Sequence, residues 1–464
     1  MVARTRRGGV AGALGWVAAG SMLANACAYL IHLAASRWWL DTADYGEFAV
    51  GMSAMLVLGV AALGLQAVIA RAVVRHTDLR RIGRVTILTT ASVTVLAVVA
   101  SPVLAVAASV GVGTAAAALS AAPMLVLIGA GEGVLQGHGS FRLLGWVLAT
   151  VGVLRTVPVI GALTAGAGPA GALVAGTVGS AVAALAVFWA VRTEGREREA
   201  RPGVAPVPDG LDLLDVVRAS GVQLVLIIAA SVDLLLSRSV LSAGDAGIYA
   251  LGAIATKVAF WLPQAVGVVF YPRLADPATS RRSLMHAVAV VAAIGVVLTA
   301  GAALAGPLVP ILIRPDYAPL VGLLWLFAYT GAMLAALQVA LLSAIARSAT
   351  ALSAVTWAAV AAEVVVILTV VHSIVTLAAT AAVTATVAAV TTMLVGLRRD
   401  QVADGRCTTD RRFADRRVRD GRASDGRSPD RRVRVGRSSH GRVPDRSHPT
   451  GGAAGADGAD ATRD

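Results

Sequence analysis

Charge is scarce in this sequence. Only 14% of the residues are charged and 57% are hydrophobic, with a mean hydropathy of +0.75. A soluble globular chain carries about 25% charged residues. The deficit argues against a secreted or cytosolic enzyme. Cysteine is scarce as well: Cys27 sits in an apolar run and Cys407 in a polar stretch. Such a pair supports neither a disulfide framework nor a zinc site. Lysine is represented by Lys257 alone. No Walker segment, nucleophile elbow or metal-spaced His/Asp/Glu cluster occurs. The chain is therefore expected to be no enzyme, with no catalytic residue, no metal and no other cofactor. The Gly-rich stretch GAGEGVLQGHG, 129–139, lacks phosphate-loop spacing and reads as a turn between two helices.

Long apolar runs are what the sequence has in abundance. They recur from the N-terminal region to about residue 397. A run of about 20 apolar residues spans a bilayer as a helix. An open sheet would leave polar edges unpaired in lipid, so helices are expected. Twelve are read, at roughly 10–34, 46–70, 85–108, 113–132, 141–164, 169–191, 216–238, 246–271, 283–306, 318–344, 350–371 and 375–397. The first run follows Arg4, Arg6 and Arg7 but is too long for a signal peptide, so it reads as a retained helix. The expected class is an all-α polytopic protein, multi-pass in the cell membrane.

The net charge of +13 suggests nucleic acid at first sight. The arginines, however, fall mainly in short loops and at the C-terminal end, which the positive-inside rule explains more simply. Arg71, Arg75, Arg80, Arg81 and Arg84 follow the second run, and Arg273, Arg281 and Arg282 follow the eighth. The intervening loops are poor in basic residues. Both termini are thereby expected in the cytoplasm.

The sequence also repeats itself. ADYGEFAVG, 43–51, returns as GDAGIYALG, 244–252. At a shift of 201 residues Ser36, Arg37, Asp44, Gly46 and Gly51 fall on Ser237, Arg238, Asp245, Gly247 and Gly252, and Phe48 falls on Tyr249. Shared turn chemistry alone would give similar words. A duplication would instead give two halves of six helices pointing the same way, as in secondary transporters. Asp44 and Asp245 would cap the helices that follow, the glycines would permit close approach, and the aromatics would suit the membrane interface. The organisation is then 1–191, a first six-helix lobe; 192–215, a cytoplasmic linker; 216–397, a second six-helix lobe; and 398–464, an Arg/Asp/Gly-rich tail. Within the linker region, residues 211–220 read as an amphipathic lead-in helix.

Residues 231–276 run SVDLLLSRSVLSAGDAGIYALGAIATKVAFWLPQAVGVVFYPRLAD, with Asp233, Gly247, Tyr249, Pro263 and Pro272 in order. Residues 44–71, DYGEFAVGMSAMLVLGVAALGLQAVIAR, include Gly64 and end on Arg71. These stretches resemble the polysaccharide-biosynthesis, oligosaccharide-flippase family of the multidrug/oligosaccharidyl-lipid/polysaccharide (MOP) exporter superfamily. The resemblance spans about residues 8–397. It implies a MATE-like pair of lobes around a central cavity, rocking between inward-open and outward-open states. It also implies a polyprenyl-diphosphate-linked oligosaccharide, or a related cell-envelope precursor, as cargo, moved from the inner to the outer leaflet. A multidrug or small-molecule exporter of the same superfamily is the alternative. A membrane-embedded glycosyltransferase or polymerase fits less well, since every outer loop is short.

A charged headgroup inside a membrane needs partners, and intramembrane ionisable residues are the natural candidates. Arg155, in the fifth run, either meets an anion or pairs within its lobe. Lys257, in the eighth, either meets cargo or pairs with Asp233 or Glu363, the candidate coupling acids. Arg71 and Arg75 either greet cargo from the cytoplasm or only set topology. Arg37 and Arg238 occupy matching outer positions and would form an outer gate, meet departing diphosphate or anchor in the interface. Gln66, Gln136, Gln264 and Gln338 would touch sugar or bridge helices. Pro158 and Pro263 each remove a helix hydrogen bond and serve as hinges or fixed kinks.

The tail has almost no apolar residues and reads as disordered. Its arginines would be drawn to anionic membrane lipids, though interspersed Asp weakens the attraction. Cytoplasmic glycosyltransferases are a possible docking partner. Nucleic acid is poorly motivated, because no aromatics interleave with the charge.

Overall fold

In lipid, backbone N–H and C=O groups find partners only within the chain, so the apolar runs close their own hydrogen bonds as helices. The computed structural model describes residues 2–199, 212–261, 280–346 and 352–395. Among the described residues ten helices are long and apolar enough to cross a membrane. They are α1 (Gly15–Trp39), α2 (Thr42–Val74), α3 (Leu79–Ala107), α4 (Val112–Gly137), α5 (Phe141–Thr164), α6 (Pro169–Gly195), α7 (Gln223–Val240), α9 (Val288–Leu312), α10 (Leu324–Leu341) and α12 (Ile374–Val395). Helix α8 (Ala243–Trp261) and the shorter α11 (Ala354–Val370) stand at the two remaining expected positions. The all-α expectation therefore holds among the described residues, and the two expected lobes correspond to α1–α6 and α7–α12.

Helices α2, α4 and α10 have mostly buried apolar windows, whereas α1, α3 and α9 are largely exposed.

The cap positions keep the same register, three residues earlier than the sequence suggested. Asp41, in extended backbone, accepts the N–H of Asp44 at 2.8 Å and caps α2. Ser242 accepts the N–H of Asp245 at 3.1 Å and donates to its carboxylate at 2.8 Å. A capping residue must lie outside the helix, where its side chain can fold back on the free N–H groups. Asp44 and Asp245 are already inside the first turn. Ser36 and Ser237, both fully buried, each donate to the carbonyl three residues back, at 3.1 and 2.7 Å.

Two further expectations are corrected. Phe48 and Tyr249 are fully buried, so they are core residues and not interface anchors. The Gly-rich stretch at 129–139 is the end of α4, with the turn confined to the last residues. Its Gly129, Gly133 and Gly137 lie one turn apart and meet the backbone of Ala62, Gln66 and Ala70 on α2. Small residues at a four-residue spacing let two helices approach backbone to backbone.

Helix α6 continues into the linker, as part of a helix running to Glu199. Residues 211–220 give no separate surface helix. A helix Leu213–Ala229 starts at Asp212, breaks near Ser231 and resumes as Val232–Val240. The tail, Pro263, Pro272, Gln264 and Cys407 lie outside the described residues.

Candidate functional site

The two copies of the repeated segment meet. The N-terminal half of α2 packs along α8, with Gly46 against the backbone of Gly247 and Gly247 against the carbonyl of Thr42. A side chain at either glycine would drive the helices apart. Three arginines close the same end across the lobes. Arg37 of the first lobe donates to the carbonyl of Ile313. Arg314 of the second donates to the carbonyl of Leu40 at 3.0 Å. Arg238 donates to the carbonyls of Ala43 and Ser109, at 2.7 and 3.2 Å, and lies 3.8 Å from the Glu47 carboxylate. Ser109 is held at φ 50°, in the left-handed region. Glu47 also accepts from the Gly111 N–H and the Thr114 hydroxyl, which ties the start of α4 to the seam. Hydrogen bonds to a charged group contribute roughly 1.5–3 kcal/mol each. Beneath them Tyr45 and Tyr317 pack edge to face, 6.5 Å apart. Tyr317 belongs to the short helix Pro315–Leu320 outside the spans, and burial pushes its phenol up to about 12.

Below this seam lies a cavity of about 470 Å³. Its wall comes from α1, α2, α4, α5 and α6, with Lys257 and Trp261 of α8 reaching in from the other lobe. Arg155 of α5 lines it, and Nη2 lies 3.7 Å from the Met55 sulfur. Glu132 of α4 lines it too and interacts electrostatically with Arg155. Lys257 donates to the buried Ser53 hydroxyl at 2.6 Å. Among the described residues, that bond is its direct hydrogen bond, and neither Asp233 nor Glu363 lies within ion-pair distance of it.

Asp233 is instead satisfied within its own lobe. One carboxylate oxygen accepts the Tyr249 hydroxyl at 2.5 Å, the other the Leu234 N–H at 2.8 Å. Glu363 of α11 is buried and interacts electrostatically with both Asp233 and Tyr249. The described cavity wall therefore presents two cations, Arg155 and Lys257, and one carboxylate, Glu132.

The remaining candidates are dispersed. Arg71 donates to Ala67 at 3.3 Å, one turn back on its own helix, and is exposed at the far end of α2. Arg75 terminates that helix. Neither lines the cavity. Gln66 donates to Gln136 at 3.3 Å between α2 and α4, and only Gln66 reaches the cavity. Pro158 lies inside α5, where Gly179 of α6 packs against its ring.

Several participants escaped the sequence reading. Glu132 was hidden inside an assumed turn, and the four-residue glycine spacing was the signal for a helix there. Ser53, Glu47 and Arg314 gave no signal, because a serine hydroxyl or a backbone carbonyl becomes a partner only after the lobes meet. His32, buried with Nδ1 3.2 Å from the Tyr45 hydroxyl, was equally silent.

No protein-family model and no curated protein matches the chain. Solved structures do. An inward-facing multidrug resistance MATE family transporter of the MOP superfamily superposes with a TM-score of 0.65 at 15% identity, over 83% of this chain and 96% of that one. The fold is that of the MATE-type transporters. An outward-facing MATE structure gives 0.56 at 16% identity, over 85% and 96%. A MOP superfamily transporter from Pyrococcus furiosus, described as having a binding pocket of reverse polarity, gives 0.54 at 16% identity, over 84% and 95%.

Proposed function

We propose that this protein is an alternating-access transporter that exports an anionic amphiphile across the cell membrane. The observation that carries the reading is the cavity wall, where Arg155, Lys257 and Glu132 stand beneath an end closed by arginines. Cations in a low-dielectric space favour an anion strongly, because little water competes for them. The apolar remainder of the wall accepts the rest of such a molecule. A volume of about 470 Å³ suits a small-molecule cargo, and the multidrug transporters that share the fold favour the same choice.

A second cargo, the lipid-linked oligosaccharide, is favoured by one further feature. An apolar pocket of about 350 Å³ between α1 and helices α8–α10 shares Tyr29 with the cavity. A diphosphate headgroup would then occupy the cavity while apolar chain lies alongside. Proteoliposomes loaded separately with a small aryl carboxylate and with a polyprenyl-diphosphate sugar separate the two. Wild-type protein should move at least one. Arg155→Ala should slow that cargo by about tenfold or more, the worth of one charge-assisted contact. Transport of neither, or an Arg155→Ala rate equal to wild type, contradicts the reading.

Asp233, Tyr249 and Glu363 are proposed as the coupling group, since buried carboxylates in a transporter lobe mark ion pathways. Arg37 and Arg238 are assigned to the outer gate, and Pro158 to the kink beside Arg155. Arg71 and Arg75 serve charge topology. Asp233→Asn should abolish the acceleration of transport by an imposed proton or sodium gradient while downhill exchange continues. Undiminished acceleration under both gradients would remove Asp233 from the coupling role.

A further inference from the structure

The α2/α8 seam has an order along its length. Thr42 and Gly46 meet Gly247 at its outer end. Ser53 lies two helical turns further in, on the same face of α2 as Gly46. There it receives the Lys257 ammonium at 2.6 Å. Lys257 also lines the cavity. Lys257 thus belongs both to this seam and to the cavity wall.

The balance at that ammonium is unusual. Ser53 is fully buried and neutral. Asp233, whose charge reaches Lys257, is held in hydrogen bonds with Tyr249 and Leu234. A lysine has three donors. One is used on Ser53 among the described residues, and a neutral hydroxyl is a weaker partner than an anion.

We propose that Lys257 is the cargo sensor of the transporter: an anionic group arriving in the cavity takes the ammonium from Ser53 and thereby releases the inner end of the outer seam. This rests on the anion-transport reading above. Cargo binding and opening are then linked, because a ligand shifts an equilibrium by its differential affinity for the two states. In the closed state the anion competes with Ser53. In the open state Ser53 has moved away and the anion has Lys257 to itself. Two substitutions therefore act in opposite directions. Losing the hydroxyl removes the competitor and strengthens anion binding. Losing the ammonium removes the site.

The test uses the full chain in nanodiscs, with Cys27 and Cys407 replaced by serine and spin labels at Gly168→Cys and Gly322→Cys. Both glycines face open space in loops on the outer side of different lobes. Inorganic diphosphate is the probe, and its binding is measured independently by calorimetry. Diphosphate should lengthen the label separation in wild type. Ser53→Ala should reach half of that change at about tenfold lower diphosphate, the worth of one hydrogen bond to a charged group. Lys257→Met should bind diphosphate weakly and show no lengthening, and Lys257→Arg should restore part of the response. A shift of Ser53→Ala and Lys257→Met in the same direction would mean a structural clasp only, and would overturn the sensor. Wild-type binding without any lengthening would overturn it as well. Absence of wild-type binding would instead overturn the anion reading beneath it.

Discussion

Gly247→Leu should hold the outer side open and cut transport by about a hundredfold or more. A side chain there begins where the Thr42 carbonyl already stands. Energy decides the choice of leucine. Overpacking by one methyl costs about 1–3 kcal/mol. The three arginines that clamp the seam contribute roughly 1.5–3 kcal/mol per charged hydrogen bond. They oppose the opening that any side chain at 247 forces, and alanine is the smallest such wedge. Leucine adds bulk that no adjustment of side chains can absorb, since the obstacle is the α2 backbone at Thr42. Moving a two-state balance from 1:99 to 99:1 takes about 5.5 kcal/mol, and a backbone collision along a helix pair is of that order. The lobe itself should still fold, because the glycine faces the other lobe. Spin labels at Gly168→Cys and Gly322→Cys would report the opening, and size-exclusion behaviour would report folding. A wild-type separation with wild-type turnover would show that this contact does not close the protein.

Arg155→Glu should reverse the polarity of the cavity. The wall would then present two carboxylates against Lys257, where it now presents one carboxylate and two cations. Transport of an organic anion should fall by about a hundredfold or more, since an attraction becomes a repulsion at a poorly hydrated site. Organic cations should gain entry. The change also leaves Glu132 beside a like charge, so the paired variant Glu132→Arg with Arg155→Glu provides the control. It exchanges the two charges and keeps their sum. Recovery of anion transport in the pair would assign the effect to cavity polarity. Failure of the pair, with both proteins folded, would assign it to the particular position of Arg155.

The helices and the doubled segment were legible because each rests on local chemistry. Apolar length dictates a span, and the register of 201 residues carried even the Asp41/Ser242 caps and the Ser36/Ser237 hydrogen bonds. The matching of Arg37 with Arg238 was visible as well, and both lie at the cross-lobe closure. What they touch was not. Ile313, Ala43 and Ser109 contribute carbonyl oxygens, which every residue possesses, so no pattern marks them. Lys257 stood out as the single lysine, yet its partner is a serine and not either acid. Phe48 and Tyr249 show the opposite failure. An aromatic near the start of a span suits the interface belt equally well in sequence, and only helix packing buries it, Tyr249 against Phe327 and Phe48 against His32. Glu132 was lost because a high density of glycine was read as a turn, while the four-residue spacing that made it a packing face went unused.

The claim on which the rest depends is that the cavity selects negative charge. A pair of fluorescent aryl compounds of equal size, one a sulfonate and one a quaternary ammonium, tests it in proteoliposomes containing the unaltered chain. The sulfonate should be transported and the ammonium excluded. Equal or faster movement of the ammonium would contradict the account.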